Sequence, residues 1–188
     1  VFPTASGSWG TITHWFMADA SSGGNILAFG ALSSPSSLVI TSGKTARFAI
    51  GQLIVEVLTN GATNYLAHKI LDHIFKVAAY TPPTDKYIGL STADPTDDAS
   101  GLAEPVGGSY ARKIANSWGA AAAGVIATAA VVSFAVATGS WGTLTHGGIF
   151  DALTTGNLLF FNSLGASQAL AAGEIPEYDT GDFTVTLT

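Results

Sequence analysis

One eight-residue string occurs twice in this chain with a single Ile-to-Leu change. Residues 7–14 read G-S-W-G-T-I-T-H and residues 139–146 read G-S-W-G-T-L-T-H. The likeness extends outward at a constant offset. Phe2 matches Phe134, Gly24-Asn25 matches Gly156-Asn157, and Leu27, Phe29 and Leu32 match Leu159, Phe161 and Leu164. The second copy then drops two residues. Gly43 resumes the match with Gly173, and Leu53-Ile54-Val55 closes it against Phe183-Thr184-Val185. Two similar stretches must build similar local structures, and neither half closes a core alone. The stretch between them, roughly 64–132, occurs once. The order is therefore a half-unit, a linker and a whole unit. The expected division is residues 1–58 as the C-terminal half of a first unit, 59–63 as linker, and 64–188 as a complete second unit. The first half needs a complement. An upstream half-unit of roughly 65–70 residues supplies it if the chain extends beyond Val1. Strand donation from another chain supplies it otherwise.

The local pattern is β-rich. Residues 11–17 read as a strand and 25–29 as the next, joined by the turn Ser22-Gly23-Gly24-Asn25. Residues 47–50 and 53–57 follow as strands. The second copy repeats the order with strands at 143–150, 158–161 and 183–187 and a turn at Thr154-Thr155-Gly156-Asn157. In the unique stretch, Leu66, Ile70, Leu71, Ile74 and Phe75 are spaced as one face of a helix, with Asn64 as its N-cap. Residues 86–91, 109–114 and 124–134 read as strands, and 94–108 as a long polar loop. Many short strands, regular turns and one short helix indicate a mainly β chain, an antiparallel β-sandwich unit present once whole and once as a preceding half.

Composition bears on what covers such a unit. Charged residues make up only 11% of the chain, against about 25% in ordinary soluble domains. Hydrophobic residues reach 47%. So few charges leave apolar surface for partners to cover, which points to a homo-oligomer or a larger assembly. The net charge is −6 and the seven basic residues are scattered, so no basic footprint for nucleic acid exists. Cysteine is absent, which excludes disulfides and thiolate metal sites. Residues 119–139 carry no charge and are long enough to span a bilayer. Their β-branched alternation reads instead as strand, so membrane insertion is not expected.

Candidate chemistry is sparse. Each copy holds Trp-Gly followed by His: Trp9, Gly10 and His14, then Trp141, Gly142 and His146. Strand alternation puts each His on the face of its apolar neighbour, Ile12 or Leu144. One His per copy is too few for most metal sites, so these residues read as scaffold. His68 and Asp72 share a helix face, beside His73, without a third ligand. Asp94, Asp97, Asp98 and Glu104 crowd one loop in oxygen-rich fashion but not with EF-hand spacing. The four glutamates, Glu56, Glu104, Glu174 and Glu177, form no pair suited to glycoside cleavage. No nucleophile elbow, phosphate loop or zinc-protease motif occurs. The expectation is a protein without catalysis, cofactor or metal.

The order of motifs resembles a known family. N-Y-L-A-H-K-I-L-D-H-I-F from Asn64 is followed by A-Y-T-P-P, Y-I-G-L-S-T-A-D-P-T-D-D and G-G-S-Y-A-R-K-I-A. Then come S-W-G-T-L-T-H-G-G-I-F-D-A, G-N-L-L-F-F and F-T-V-T-L-T. This series is similar to tailed-bacteriophage virion proteins commonly labelled tail-fibre proteins. The likeness covers nearly all of 64–188, and the first copy resembles its C-terminal half again, although Trp15-Phe16-Met17 replaces the G-I-F portion in the first copy. The resemblance implies a virion structural protein, either a capsid decoration or a tail or fibre component, assembling through sheet edges and apolar contacts. Trp9, His14, Phe29, Trp141, His146, Phe161, Phe183 and Val185 are the assembly and structural candidates. The alternative is a receptor- or carbohydrate-binding module, for which Trp15 and Trp118 are the aromatic candidates.

Overall fold

The computed structural model describes residues 2–32, 36–48 and 61–186. It separates into two compact units, Val1–Glu56 and Val57–Thr188. The described residues are mainly β, in several antiparallel sheets with one short helix, in keeping with a β-sandwich.

The first unit holds four strands: β1 (Gly10–Ile12), β2 (His14–Ala18), β3 (Ile26–Ala31) and β4 (Leu38–Ile40). They form two antiparallel ladders, β1 with β4 and β2 with β3. The strand expected over 11–17 is thus broken at Thr13, and β4 lies in a stretch where no strand was expected. Arg47 and Phe48 are not in a strand. The expected strand at 53–57 lies outside the described residues. The core is small: Ala5, Ile40 and Ala46 are buried, with Ile12, Leu38 and Phe48 packed against them.

The second unit begins with α1 (Asn64–Ile74). Its N-cap is Thr63, not Asn64. The Thr63 backbone is extended and its Oγ1 accepts from the Leu66 amide at 3.5 Å. Thr63 wins because Gly61, Ala62 and Thr63, expected as linker, run beside a later strand and hold it there: Phe161 N donates to Gly61 O at 2.6 Å and Thr63 N to Leu159 O at 3.0 Å. Of the expected apolar helix face only Leu66 is buried, while Ile74 and Phe75 are exposed.

The remaining strands are β5 (Tyr87–Ser91), β6 (Lys113–Ile114), β7 (Val125–Ala127), β8 (Val132–Ser133), β9 (Gly142–Phe150), β10 (Leu158–Leu170), β11 (Glu177–Tyr178) and β12 (Thr184–Thr186). One sheet has the order β10-β9-β5-β6, and β11 pairs with β8 and β12 with β7. The expected strand over 109–114 shrinks to β6, because Gly107, Gly108 and Ser109 all have positive φ and form a turn. The expected strand over 124–134 is two short strands, β7 and β8. No helix among the described residues is long and apolar enough to cross a membrane. The core gathers Ile88, Leu90, Ala115, Val132, Phe134, Ala137, Trp141, Leu144 and Leu170.

Candidate functional site

The two copies of the repeat fold to the same hairpin, residue for residue. Gly10, Thr11 and Ile12 pair with Ile40, Val39 and Leu38. Gly142, Thr143 and Leu144 pair with Leu170, Ala169 and Gln168. His14, Trp15, Phe16, Met17 and Ala18 pair with Ala31, Gly30, Phe29, Ala28 and Ile26, with a bulge at Leu27. Their counterparts from His146 to Phe150 pair with Ser163, Asn162, Phe161, Phe160 and Leu158, with the same bulge at Leu159.

Short-range polar chemistry explains the identity. The Trp9 amide donates to Ile40 O at 2.9 Å and the Trp141 amide to Leu170 O at 3.1 Å. Ser8 Oγ accepts from Gly10 N, and Ser140 Oγ from Gly142 N. Gly10 and Gly142 both lie near φ +80°, a conformation that other residues resist. At the hairpin tip, Asp19 accepts from the Asn25 amide at 2.8 Å and from its Nδ2 at 2.9 Å. Asp151 accepts from Asn157 in the same way, at 2.6 and 2.7 Å. Those hydrogen bonds hold the Asp19 carboxyl below its usual range. His14 and His146 also match: each Nδ1 lies 2.9 Å from the hydroxyl of the preceding threonine, Thr13 or Thr145.

The surroundings differ. In the second unit, residues of the unique stretch complete the hairpin. β5 pairs with β9, placing Tyr87 opposite Phe150, Gly89 opposite Gly148 and Ser91 opposite His146. Residues 61–63 and α1 cover β10. Trp141 is 3% exposed. Its ring meets Tyr110 edge-on at 5.1 Å and its Nε1 donates to Gly108 O at 2.8 Å. A Cβ at Gly108 would sit 3.0 Å from that ring, so glycine is needed there. Arg112 lies over the Phe150 ring at 3.5 Å. It pairs with Glu104 at 2.6 Å and donates to the carbonyls of Ala152 and Thr155 at the hairpin tip. Tyr110 donates to Glu104 at 2.8 Å and accepts from the Leu90 amide at 2.9 Å. Burial raises the Tyr110 pKa strongly, with the Glu104 charge adding to it. The G-G-S-Y-A-R string is therefore a clamp on the hairpin tip, and Glu104 is an inward-facing partner of arginine. Asp94 and Asp98 in the same loop turn toward their own backbone. The Thr96 amide donates to Asp94, and hydrogen bonds from the Ser100 hydroxyl, then the Thr96 hydroxyl and the Ser100 amide, lower the Asp98 carboxyl to about 2.

In the first unit those partners are missing among the described residues. Trp9 is 40% exposed and Phe2 is 52% exposed, where Phe134 is buried. Yet Phe2 still meets Phe48 edge-on at 6.1 Å and 73°, as Phe134 meets Tyr178 at 6.2 Å and 73°. Phe16, Ile26, Leu27 and Phe29 form an exposed apolar face at 67%, 62%, 53% and 78%. Their counterparts Leu158 and Leu159 are buried. The second edge of β2 has no partner strand among the described residues. Thr13 O accepts from Leu32 N and Asp19 N donates to Asn25 O. Alternation therefore turns the backbone groups of His14, Phe16 and Ala18 to that open edge. Trp15 lies instead over Gly30, within 3.0 Å of where a Cβ would stand.

Of the candidates read from sequence, Phe29 and Trp9 are on the surface of the first unit, with His14 exposed beside them. Trp141 is core, and His146 and Phe161 are half-buried. Phe183 packs on the second unit's core and meets Tyr178 at 5.0 Å. Val185 pairs with Ile126. Sequence reasoning missed Phe16, Ile26 and Leu27, which complete the exposed face, and the Glu104–Tyr110–Arg112 clamp. Trp15 and Trp118 lie in different units. Trp118 Nε1 donates to Ala115 O at 2.7 Å. Its ring lines an apolar groove of about 370 Å³ with Leu66, Ile70 and Val185. A wider cleft of about 530 Å³ lies over β9 and β10, lined by Phe160, Asn162, Gln168, Tyr178, Asp182 and Phe183. The described residues contain no group of three or more His, Cys, Asp or Glu placed to hold a metal ion.

No curated protein matches the chain. The family described as Podophage GP4 fiber I protein gp80 matches residues 1–56 and 61–186. The chain belongs to that family and is a bacteriophage fibre structural protein, a component of the virion that associates with other virion components.

Proposed function

We propose that the chain is a non-enzymatic assembly module of the fibre, joining homo-oligomeric and neighbouring virion chains through sheet edges and apolar contacts. Its architecture is a tandem repeat in which residues 1–58 are the C-terminal half of a sandwich and 64–188 a whole one. One observation carries this reading: among the described residues, the first unit leaves the outer β2 edge unpaired and the Phe16, Ile26, Leu27 and Phe29 face exposed. An edge of unpaired amides beside apolar surface is a template for another strand. Such surface is costly to leave wet, at about 25 cal/mol per Å² of apolar area. The half-buried Glu104, Tyr110 and Arg112 bond to one another and to the hairpin tip, so these three serve the fold. Fibre placement is preferred to capsid decoration because the family is a fibre family. Imaging of intact particles tests this. Density for the chain in the fibre is expected, and density on the shell, or none, would sink it.

A second reading, receptor or carbohydrate binding, draws on the cleft over β9 and β10. Aromatic Phe160, Tyr178 and Phe183 stand there with Asn162, Gln168 and Asp182, a mixture suited to sugars. The Tyr178 hydroxyl is buried without a hydrogen-bond partner. A glycan array discriminates: the assembly reading expects no hits. Hits abolished by Gln168→Ala would favour the cleft.

A further inference from the structure

We infer that the cleft over β9 and β10 of the second unit takes an uncharged pyranose sugar, and that the Asp182 carboxylate turns acidic sugars away. This adds a task to the second unit, beside the assembly surface of the first. It rests on the carbohydrate reading and narrows its ligand.

The cleft lies where the two copies of the repeat part company. Register puts Trp15 opposite Gly30 in the first copy and Gly147 opposite Asn162 in the second. The first copy lays its indole on Gly30, with Nε1 of Trp15 3.0 Å from where a Cβ would stand. The second has no side chain at the matching Gly147. A Cβ there would lie 3.0 Å from the Phe183 ring and 3.5 Å from Leu164, so the glycine lets Phe183 settle against the sheet. Asn162 adds an amide that Gly30 lacks. β10 then bulges, since Ser163 pairs with His146 but Gln168 with Leu144. Leu164, Gly165 and Ala166 line the cleft between those points. The hairpin scaffold is kept while this surface is remade. The result is a hollow of about 530 Å³, within the range of small-molecule sites.

The lining selects the ligand. Phe160, Tyr178 and Phe183 are only partly buried and offer apolar ring surface, on which the C–H face of a pyranose packs. Asn162, Gln168 and Asp182 are exposed among them. Two amides that donate and accept, beside a carboxylate that accepts, match the hydroxyls of a sugar. Asn162 Oδ1 already accepts from the Ser163 amide at 2.8 Å, which turns its Nδ2 to other acceptors. The Asp182 carboxylate is held by the Asp179 amide at 2.7 Å. No lysine or arginine lines the cleft. A sugar carboxylate beside Asp182 would therefore meet a like charge without a counter-ion.

Ligand-detected NMR on the 188-residue chain tests this. The probes are methyl glycosides of glucose, galactose, mannose and N-acetylglucosamine, and those of glucuronic and galacturonic acid. Saturable binding of a neutral glycoside is expected, with its matched acid at least about tenfold weaker. Asp182→Asn keeps the shape of the side chain and should bring the acid within about threefold of its neutral parent. Asn162→Ala and Gln168→Ala should each weaken the neutral glycoside about fivefold or more, with circular dichroism unchanged. Absence of saturable binding by every neutral glycoside overturns the inference. So does an acid bound as tightly as its parent, or a gap that Asp182→Asn leaves unchanged. Binding that survives both amide variants also overturns it, because the sugar would then sit elsewhere. The glycan array separates the two failures. No hits at all defeats the carbohydrate reading itself, whereas hits confined to acidic glycans keep that reading and overturn this inference alone.

Discussion

The two units use one hairpin in two states of completion. In the second, the hairpin is roofed by the unique stretch, and Trp141, Leu144 and Leu170 share a core with Ile88, Leu90 and Phe134. In the first, the equivalent Ile12 and Ile40 pack, among the described residues, with Ala5, Ala46, Leu38 and Phe48. The backbone nevertheless keeps the same register in both. Hairpin shape is thus set locally, by the Asp–Asn tip, the Ser–Gly corner and the positive-φ glycine. The unique stretch sets burial, and with it stability. A hairpin shaped before its complement arrives is preorganised to accept one, which lowers the ordering cost of binding.

The largest expected break in this comparison comes from the paired tryptophans. Trp141→Ala should destabilise the second unit by about 3–5 kcal/mol, the cost of deleting a large buried aromatic. Trp9→Ala should cost less than about 1 kcal/mol, as for surface positions. Denaturant unfolding of both variants checks this, and equal costs would mean that Trp9 is covered in the free chain. Next in size is the clamp. Arg112→Ala leaves the Glu104 charge without its counter-ion, held by Tyr110 alone, and two tip carbonyls unpaired, in a site where the arginine side chain is only 7% exposed. A loss of about 3 kcal/mol is expected. Thermal unfolding reads it, and a shift under a few tenths of a kcal/mol would show that water replaces the guanidinium freely.

Much of the fold was legible because repetition and turn chemistry are local signals. The spacing of Trp-Gly and His, and the Gly24-Asn25 and Gly156-Asn157 turns, marked the hairpins. What failed to show depended on partners distant in sequence. Alternation along 14–18 and 26–31 cannot say which face is buried when the roof lies elsewhere, so Phe16, Ile26 and Leu27 passed unnoticed while Phe29 was found. Glu104 read as one of several loop carboxylates, because only the fold brings Arg112 and Tyr110 to it. β11 is too short for a propensity signal and exists because Glu177–Tyr178 meets a ready-made partner, whereas Leu38–Ile40, with β-branched Val39 and Ile40, went unread as β4 between serine-rich flanks. The cap moved to Thr63 for a similar reason, since pairing with β10 held it extended.

A smaller effect separates the tyrosines of the second unit. Burial raises Tyr110 and Tyr178, the latter to about 12. A buried phenol that ionises later when folded than when unfolded adds stability that is complete below about pH 10. That stability is lost as pH rises through the folded value. Ultraviolet titration should find these two phenols silent near pH 10 while the unfolded chain titrates all its tyrosines. Ionisation of all tyrosines together near pH 10 in the folded protein would show that the roof over Trp141 opens freely.

The smallest effect is at the hairpin tip of the open unit. Asn25 hydrogen bonds lower the Asp19 carboxyl from 3.8. A depressed carboxylate contributes stability above its unfolded pKa and loses it as pH falls through the folded value. Asn25→Ala removes the side-chain bond, the largest cause of the shift, so the Asp19 carboxyl should rise toward 3.8. NMR titration of the carboxyl carbon reads this directly. Asp19 is fully exposed, so the change is local and unfolding should barely respond. Asn157→Ala breaks the same pair in a half-buried tip that also holds Arg112, and should destabilise its unit by about 1–2 kcal/mol. Equal responses at the two tips would mean that the clamp adds nothing to the turn. A larger response at Asn157 would show that the roof stiffens a turn the hairpin already forms by itself.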